Sequence, residues 1–194
     1  MKIPAAIAAV LLFSAPVLFA HHHDSATRAD AIAMIARLGG TISPTKVDLH
    51  KSQVTDEDLA LLAAMPDLHE LDLRLTNVTD AGVKHLHDLR KLRFLNLFRT
   101  QMTDAGLASL KPLGELETLL IGGTKVTDAG LGALQAHPRL RKLSLFDTRV
   151  TDAGLKHVEG LSELRVLLVG NSGVTEAGMA RIQKALPRVS FKEE

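Results

Sequence analysis

Leucine returns along this chain on a fixed step. Leu68, Leu71 and Leu73 are followed by Leu92, Leu95 and Leu97, then by Leu116, Leu119 and Ile121. Leu140, Leu143 and Leu145 come next, and Leu164, Leu167 and Val169 after them, each set 24 residues beyond the last. Val47 and Leu49 begin the series one step earlier. The pair Thr-Asp keeps the same interval at Thr55-Asp56, Thr79-Asp80, Thr103-Asp104, Thr127-Asp128 and Thr151-Asp152, and Thr175-Glu176 follows. Six units in register, without insertion or deletion, are an internal repeat, and the repeat decides the fold.

Each unit changes period midway. Leu71-Asp72-Leu73 alternates, as a short strand with one buried face does, whereas Val83, Leu86 and Leu89 are spaced as one face of a helix. Thr79 is placed to cap that helix, and Asp80 in its first turn suits the positive end of the dipole. Thr76, Thr100, Thr124 and Thr148, with Ser52 and Ser172, stand where the chain leaves the strand. A hydroxyl there predicts a bond to the backbone of every turn. One such unit is too short to bury its apolar side. Stacked, the units make a parallel sheet on one side, helices on the other and a leucine spine between.

The run LxxLxLxxTxxTDAGL resembles bacterial leucine-rich-repeat proteins of the TDAGL type, which are related in pattern to ribonuclease-inhibitor-like repeats. The resemblance covers roughly Ile42 to Phe191. It implies an α/β fold: a curved leucine-rich-repeat solenoid of six 24-residue strand–turn–helix units, with the sheet on the concave face and short helices on the convex one. It also implies that the concave face binds other macromolecules, usually proteins. Thr or Ser stands at the turn where the family usually has Asn or Cys.

The ends read differently from the repeats. Lys2 precedes eighteen uncharged residues, Ile3 to Ala20, and His21-His22-His23-Asp24 follows. This pattern predicts a signal peptide over 1–20 cut after Ala20, with a retained membrane anchor as the rival reading. Residues 21–46 then form a polar leader and a helical cap, in which Ile32, Ile35 and Leu38 make an apolar stripe ended by Gly39-Gly40. The repeats occupy 47–186, and 187–194 supply a closing edge strand through Val189 and Phe191. With a cap at each end, a whole domain is expected.

If the leucines point inward, four columns of side chains point out over six strands. The first is Lys46, Glu70, Phe94, Thr118, Lys142, Val166, and the second Asp48, Asp72, Asn96, Leu120, Ser144, Leu168. The third is His50, Arg74, Phe98, Gly122, Phe146, Gly170, and the fourth Lys51, Leu75, Arg99, Gly123, Asp147, Asn171. Residues 21–194 contain four Phe, and three of them, Phe94, Phe98 and Phe146, fall on this face. Random placement would put only about half of one there. An exposed apolar cluster of this kind marks a binding surface. Strands about 4.8 Å apart place Phe98 and Phe146 roughly 10 Å from each other across Gly122. That predicts an aromatic-walled slot over a floor of Leu120 and Leu168, with Arg74 and Arg99 at its rim. In the competing reading, the rings lean over the glycine and cover backbone.

Composition narrows the remaining classes. Cysteine, Tyr and Trp are absent, so disulfides and thiolate chemistry are excluded. Twenty-three basic against 22 acidic residues give no bias towards nucleic acid, and a membrane enters only if residues 1–20 are kept. No phosphate-cradling loop, GxSxG elbow or HExxH pair is present, and no cofactor is implied. Asp48 and Asp72, neighbours in one column, are the sole candidates for acid–base chemistry or a weak cation site. His69 and His137 read as ordinary surface residues, and His85 and His157 share a helix phase three repeats apart. A free amine before His21-His22-His23 would suit Cu(II) or Ni(II), which makes this tract a weak metal candidate. The expected function is an exported, non-enzymatic module that binds a protein or peptide on its concave face.

Overall fold

A computed structural model describes residues 26–192. The signal or anchor segment and the His21-His23 tract lie outside them. An N-terminal helix α1 (Arg28–Arg37) leads into β1 (Thr41–Ile42), which pairs antiparallel with β2 (Lys46–Asp48). From there every pairing is parallel: β3 (Glu70–Asp72), β4 (Phe94–Asn96), β5 (Thr118–Leu120), β6 (Lys142–Ser144), β7 (Val166–Leu168) and β8 (Ser190–Lys192). Lys46 lies opposite Glu70, Glu70 opposite Phe94, Phe94 opposite Thr118, and so on to Ser190, so the sheet register is the 24-residue step itself. The spine behind the sheet is fully buried, with Leu71, Leu95, Leu119, Leu143 and Leu167 all inaccessible to solvent.

The Thr-Asp pair does more than cap its own helix. Asp56 accepts hydrogen bonds from the N–H (2.9 Å) and the hydroxyl (2.5 Å) of Thr79, one repeat further on. Asp80 does the same for Thr103, Asp104 for Thr127, Asp128 for Thr151 and Asp152 for Thr175, with N–H distances of 2.7 to 2.8 Å and hydroxyl distances of 2.6 to 2.7 Å. The same threonine oxygen then accepts from the next turn, as Thr79 does from Ala81 N–H at 3.2 Å. The glycine of the motif is explained by the same contact. A Cβ added at Gly82, Gly106, Gly130, Gly154 or Gly178 would collide with Oδ1 of the preceding aspartate.

The terminal repeats keep only the half of the motif they use. Thr55-Asp56-Glu57-Asp58 has no earlier aspartate to receive, and Asp58 replaces the glycine. Its carboxylate accepts from Thr55 N–H and hydroxyl, each at 3.0 Å, and pairs with Arg37 of α1 at 2.6 Å. Burial pushes the Asp58 carboxyl up, but the Thr55 bonds and the Arg37 charge outweigh it and leave it below its ordinary value. In the sixth repeat Thr175 and Gly178 receive Asp152, while Glu176 stands where the next acceptor would be.

On the convex side the expected helices are short and mixed. Asp80–Lys84 (α2) and Asp104–Ser109 (α3) are α-helical, whereas Asp58–Ala64, His85–Asp88, Gly130–Ala136 and Gly154–His157 are 3-10 helices. Strands stack about 4.8 Å apart, and an α-helix with side chains is about 10 Å across. The slimmer 3-10 turn reduces that mismatch. Among the described helices of the repeats, only the last, α4 (Glu176–Ala185), runs ten residues, as long as α1. The turn hydroxyls behave as the sequence predicts. Thr76, Thr100, Thr124, Thr148 and Ser172 donate to the carbonyl three residues back at 2.5 to 2.9 Å, whereas Ser52 accepts from Val54 N–H. To reach that geometry the chain leaves each strand through a left-handed residue, with φ between 52° and 66° at Lys51, Leu75, Arg99, Gly123, Asp147 and Asn171. Each non-glycine there costs about 1–2 kcal/mol.

Two residues stand elsewhere than expected. In α1 the buried stripe is Ala31, Met34 and Ile35, and Ile32 is exposed, because the helix is rotated to lay Ala31 on the first repeat. His137, read from the sequence as a surface residue, is fully buried. It occupies the spine column of Met65, Leu89, Leu113 and Leu161, where its Nδ1 lies 3.0 Å from the Leu113 carbonyl oxygen and its Nε2 has no partner. Burial pushes the imidazole below its ordinary value, and the Leu113 bond only partly opposes this. A histidine favoured as the neutral form in the fold stabilises fully above the unfolded value of about 6.5, and that contribution is lost as pH falls towards the folded value. His137→Leu leaves the Leu113 carbonyl its bond from Leu116 N–H. Urea titrations at pH 7 and pH 5 should therefore show the variant about 1 kcal/mol more stable at pH 7. It should also lose less stability than the wild type on acidification; an equal loss would remove His137 as the acid-sensitive group.

Candidate protein-binding face

The register places all four predicted columns as neighbours across the sheet. Their chemistry divides near β4 and β5. On the N-terminal strands the second column uses side chains to finish the ladder, because the N–H two residues on has no carbonyl opposite it. Asp48 accepts from His50 N–H at 3.0 Å, Asp72 from Arg74 N–H at 3.0 Å, and Asn96 from Phe98 N–H at 3.1 Å. Lys46 pairs with Glu70 at 3.2 Å, and Asn96 donates to Asp72 at 3.3 Å.

These bonds also answer the acid–base question for Asp48 and Asp72. Burial pushes the Asp48 carboxyl up, but the His50 N–H and imidazole, with Arg74 nearby, hold it below the ordinary value. Asp72 is buried, with one oxygen bonded to Arg74 N–H and the other shared by Asn96 and the Arg74 guanidinium. Asp48 through Oδ1 and Asp72 through both oxygens hold the strand ends. Among the described residues no group of three or more His, Asp or Glu side chains is placed to hold a metal ion.

From β5 onward the second column becomes Leu120, Ser144 and Leu168, and from Phe98 onward the third alternates rings with glycines as Phe98, Gly122, Phe146 and Gly170. The Phe98 and Phe146 centroids are 6.5 Å apart with planes tilted by 37°, not the roughly 10 Å expected from strand spacing. The open slot is therefore closed in this structure. Each ring leans over the glycine of the following strand. A Cβ added at Gly122 would meet Phe98 Cδ2 at 3.1 Å, and one added at Gly170 would meet Phe146 Cδ2 at 3.1 Å. Aromatic cover of strand glycines, the competing expectation, describes the geometry. Arg99 leans the same way over Gly123 and sets its guanidinium 5.3 Å from the Phe98 centroid.

The eight candidate residues thus fall at different depths. Phe94, Phe98, Phe146, Leu120 and Arg74 are half-buried, Arg99 is exposed, and Gly122 and Leu168 are buried beneath their neighbours. Column-by-column reading missed two features. One is a cleft of about 480 Å³ at the C-terminal end, lined by Val169, Val174, Met179 and Phe191 among others. The other is a charged flank where Asp67 meets Lys91, Glu115 meets Arg139, and Arg141 reaches both Glu117 and Glu163. Three of these four pairs are 24 residues apart, so the repeat itself carried that signal.

Comparison with known proteins agrees with this architecture. A family model described as Leucine Rich repeat matches residues 64–86 and 88–111. No curated protein matches the sequence. Among solved structures, an internalin (inlF) from Listeria monocytogenes is similar with a TM-score of 0.63 and 21% sequence identity. The likeness covers 76% of this chain and 46% of that one, so this chain spans less than half of the internalin's length. The fold is a leucine-rich-repeat solenoid.

The ring packing predicts a sharp difference between two glycines. Gly122→Ala drives a Cβ to 2.8 Å from the Phe146 carbonyl oxygen and 3.1 Å from both Phe98 Cδ2 and Ser144 Oγ. It should destabilise the fold by about 1–3 kcal/mol in urea titration. Gly114→Ala meets nothing within 4 Å and should stay within about 0.5 kcal/mol of wild type. Equal effects at the two sites would mean that the Phe98–Phe146 packing is loose.

Proposed function

We propose that this chain is an exported, non-enzymatic module that recognises a protein or peptide partner on the concave face of its sheet. The contact region is Phe94, Phe98, Leu120, Gly122, Phe146 and Leu168, with Arg74 and Arg99 at the rim. One observation carries the proposal. Three of the four Phe in residues 21–194 stand half-buried on the sheet face, although the spine behind it is built to take large apolar side chains. Clustered aromatics with an arginine beside them are the composition of interface hot spots. Leucine-rich-repeat scaffolds serve as protein-binding modules, which supports the same partner class. The near balance of charge favours a protein over nucleic acid.

Export rests on residues 1–20 alone, where a lysine and eighteen uncharged residues ending in an alanine precede polar sequence. Retention of that segment makes the protein a membrane-anchored spacer instead. Among the described residues no helix is long and apolar enough to cross a membrane. The TDAGL subtype is supported by the aspartate–threonine contacts, which use each letter of the motif except its alanine and leucine.

The test compares wild type with Phe98→Ser/Phe146→Ser as bait in cell-envelope extract. The double variant should keep cooperative unfolding while recovering the wild-type partner at least tenfold less. Undiminished recovery would place the binding surface elsewhere on the molecule.

A further inference from the structure

Beneath the two rings lies a polar atom that the fold does not use. Ser144 is fully inaccessible to solvent, and its Oγ has no hydrogen-bond partner. An orphaned buried hydroxyl costs about 1–3 kcal/mol, and an alanine or leucine at that position would avoid the penalty. The neighbouring positions on β5 and β7 are indeed Leu120 and Leu168. The hydroxyl fronts the gap between the rings. The site of the missing Gly122 side chain, in the column between Phe98 and Phe146, is 3.1 Å from Ser144 Oγ and 3.1 Å from Phe98 Cδ2.

The rings are also spaced for one particular shape. Two van der Waals layers of carbon need about 7–8 Å, and the centroids are already 6.5 Å apart. Removing the 37° tilt and widening the gap by about an ångström would admit one flat ring, but not a branched aliphatic group. Arg99 sets its guanidinium over one face of Phe98, 5.3 Å from the ring centroid. Leu120 and Leu168 beside Ser144 make the base of the gap uncharged, so a charged group would be buried there without a counter-ion. The walls have the height of a phenyl ring. Between opened rings, a six-membered ring entering edge-on would carry a neutral polar atom at its far end towards the hydroxyl.

Building on the proposed role of the strand face in partner binding, we infer that Phe98 and Phe146 open around a tyrosine side chain of the partner, whose phenol hydrogen-bonds to Ser144 Oγ. The rings supply stacking once Phe98 swings off Gly122, whose site it fills in the closed state, and the Ser144 hydroxyl supplies the choice of a phenol over a plain phenyl ring. A site built to bond a hydroxyl discriminates against the analogue that lacks it, because its own polar group is then left unpaired.

The test uses the whole protein with three small probes: N-acetyl-tyrosinamide, N-acetyl-phenylalaninamide and N-acetyl-leucinamide. Each is titrated while the resonances of Gly122, Ser144, Phe98 and Phe146 are followed by NMR. The tyrosine probe should shift these four residues and bind at least threefold more tightly than the phenylalanine probe, and the leucine probe should leave them unmoved. Ser144→Ala, which removes an unpaired hydroxyl and keeps the fold, should make the tyrosine and phenylalanine probes equal. The inference is overturned if the tyrosine probe causes no shift up to its solubility limit, if the first two probes bind wild type equally, or if their difference survives in Ser144→Ala. Any of these results, with partner capture still dependent on Phe98 and Phe146, rejects the phenol and leaves the binding face standing. Loss of that dependence rejects the binding face itself.

Discussion

The contact between an aspartate in one repeat and a threonine 23 residues later is the constraint on which the rest of the molecule depends. It is a charge-assisted pair of hydrogen bonds made five times, from Asp56–Thr79 to Asp152–Thr175, and it dictates the glycine that sits against each carboxylate. An insertion or deletion in any unit would move the threonine off its aspartate. The 24-residue period is therefore enforced on the convex side by polar geometry as well as on the inside by leucine packing. The end repeats show the same logic, since Asp58 and Glu176 appear where the contact has only one side.

Rigid spacing on one side frees the other to vary. Because every strand is in register with the next, a side chain on the concave face keeps its neighbours whatever its type. The face uses this freedom in two ways. Asp48, Asp72 and Asn96 tie down the N–H two residues ahead, which makes the N-terminal half polar and fixed. From β5 onward those acceptors are replaced by Leu120, Ser144 and Leu168, and from the end of β4 onward Phe98, Arg99 and Phe146 lie over the glycines of the following strands. The change from bonded carboxylates to overlying rings gives one end of the sheet an apolar, adjustable surface.

Much of this was legible in the residues. The leucine step fixed the strands and their pairing, and the turn hydroxyls were foreseen because a Ser or Thr bonding its own turn is a local interaction. What escaped reading was what acts across repeats or through side-chain direction. Thr79 and Asp80 looked like a cap for one helix, since nothing local points to a partner 23 residues away. Strand spacing alone placed Phe98 and Phe146 too far apart, because it fixes where a side chain starts and not how its ring is turned. His137 was judged by its type, although its phase with Leu113 and Leu161 already placed it in the spine. The 3-10 character of four convex segments comes from the crowding of stacked units, which no single unit encodes.

The aspartate–threonine–glycine contact is tested most directly by a double-mutant cycle at one junction, Asp104 and Gly130. Asp104→Ala removes both bonds to Thr127, and Gly130→Ala forces a Cβ onto the Asp104 carboxylate. Each alone should cost about 1–3 kcal/mol in urea unfolding. Together they should cost less than the sum by about 1 kcal/mol or more, because the added methyl enters the space that the carboxylate vacates. Costs that add to within about 0.5 kcal/mol would show the two positions to be independent, and would contradict a repeat period set by this contact.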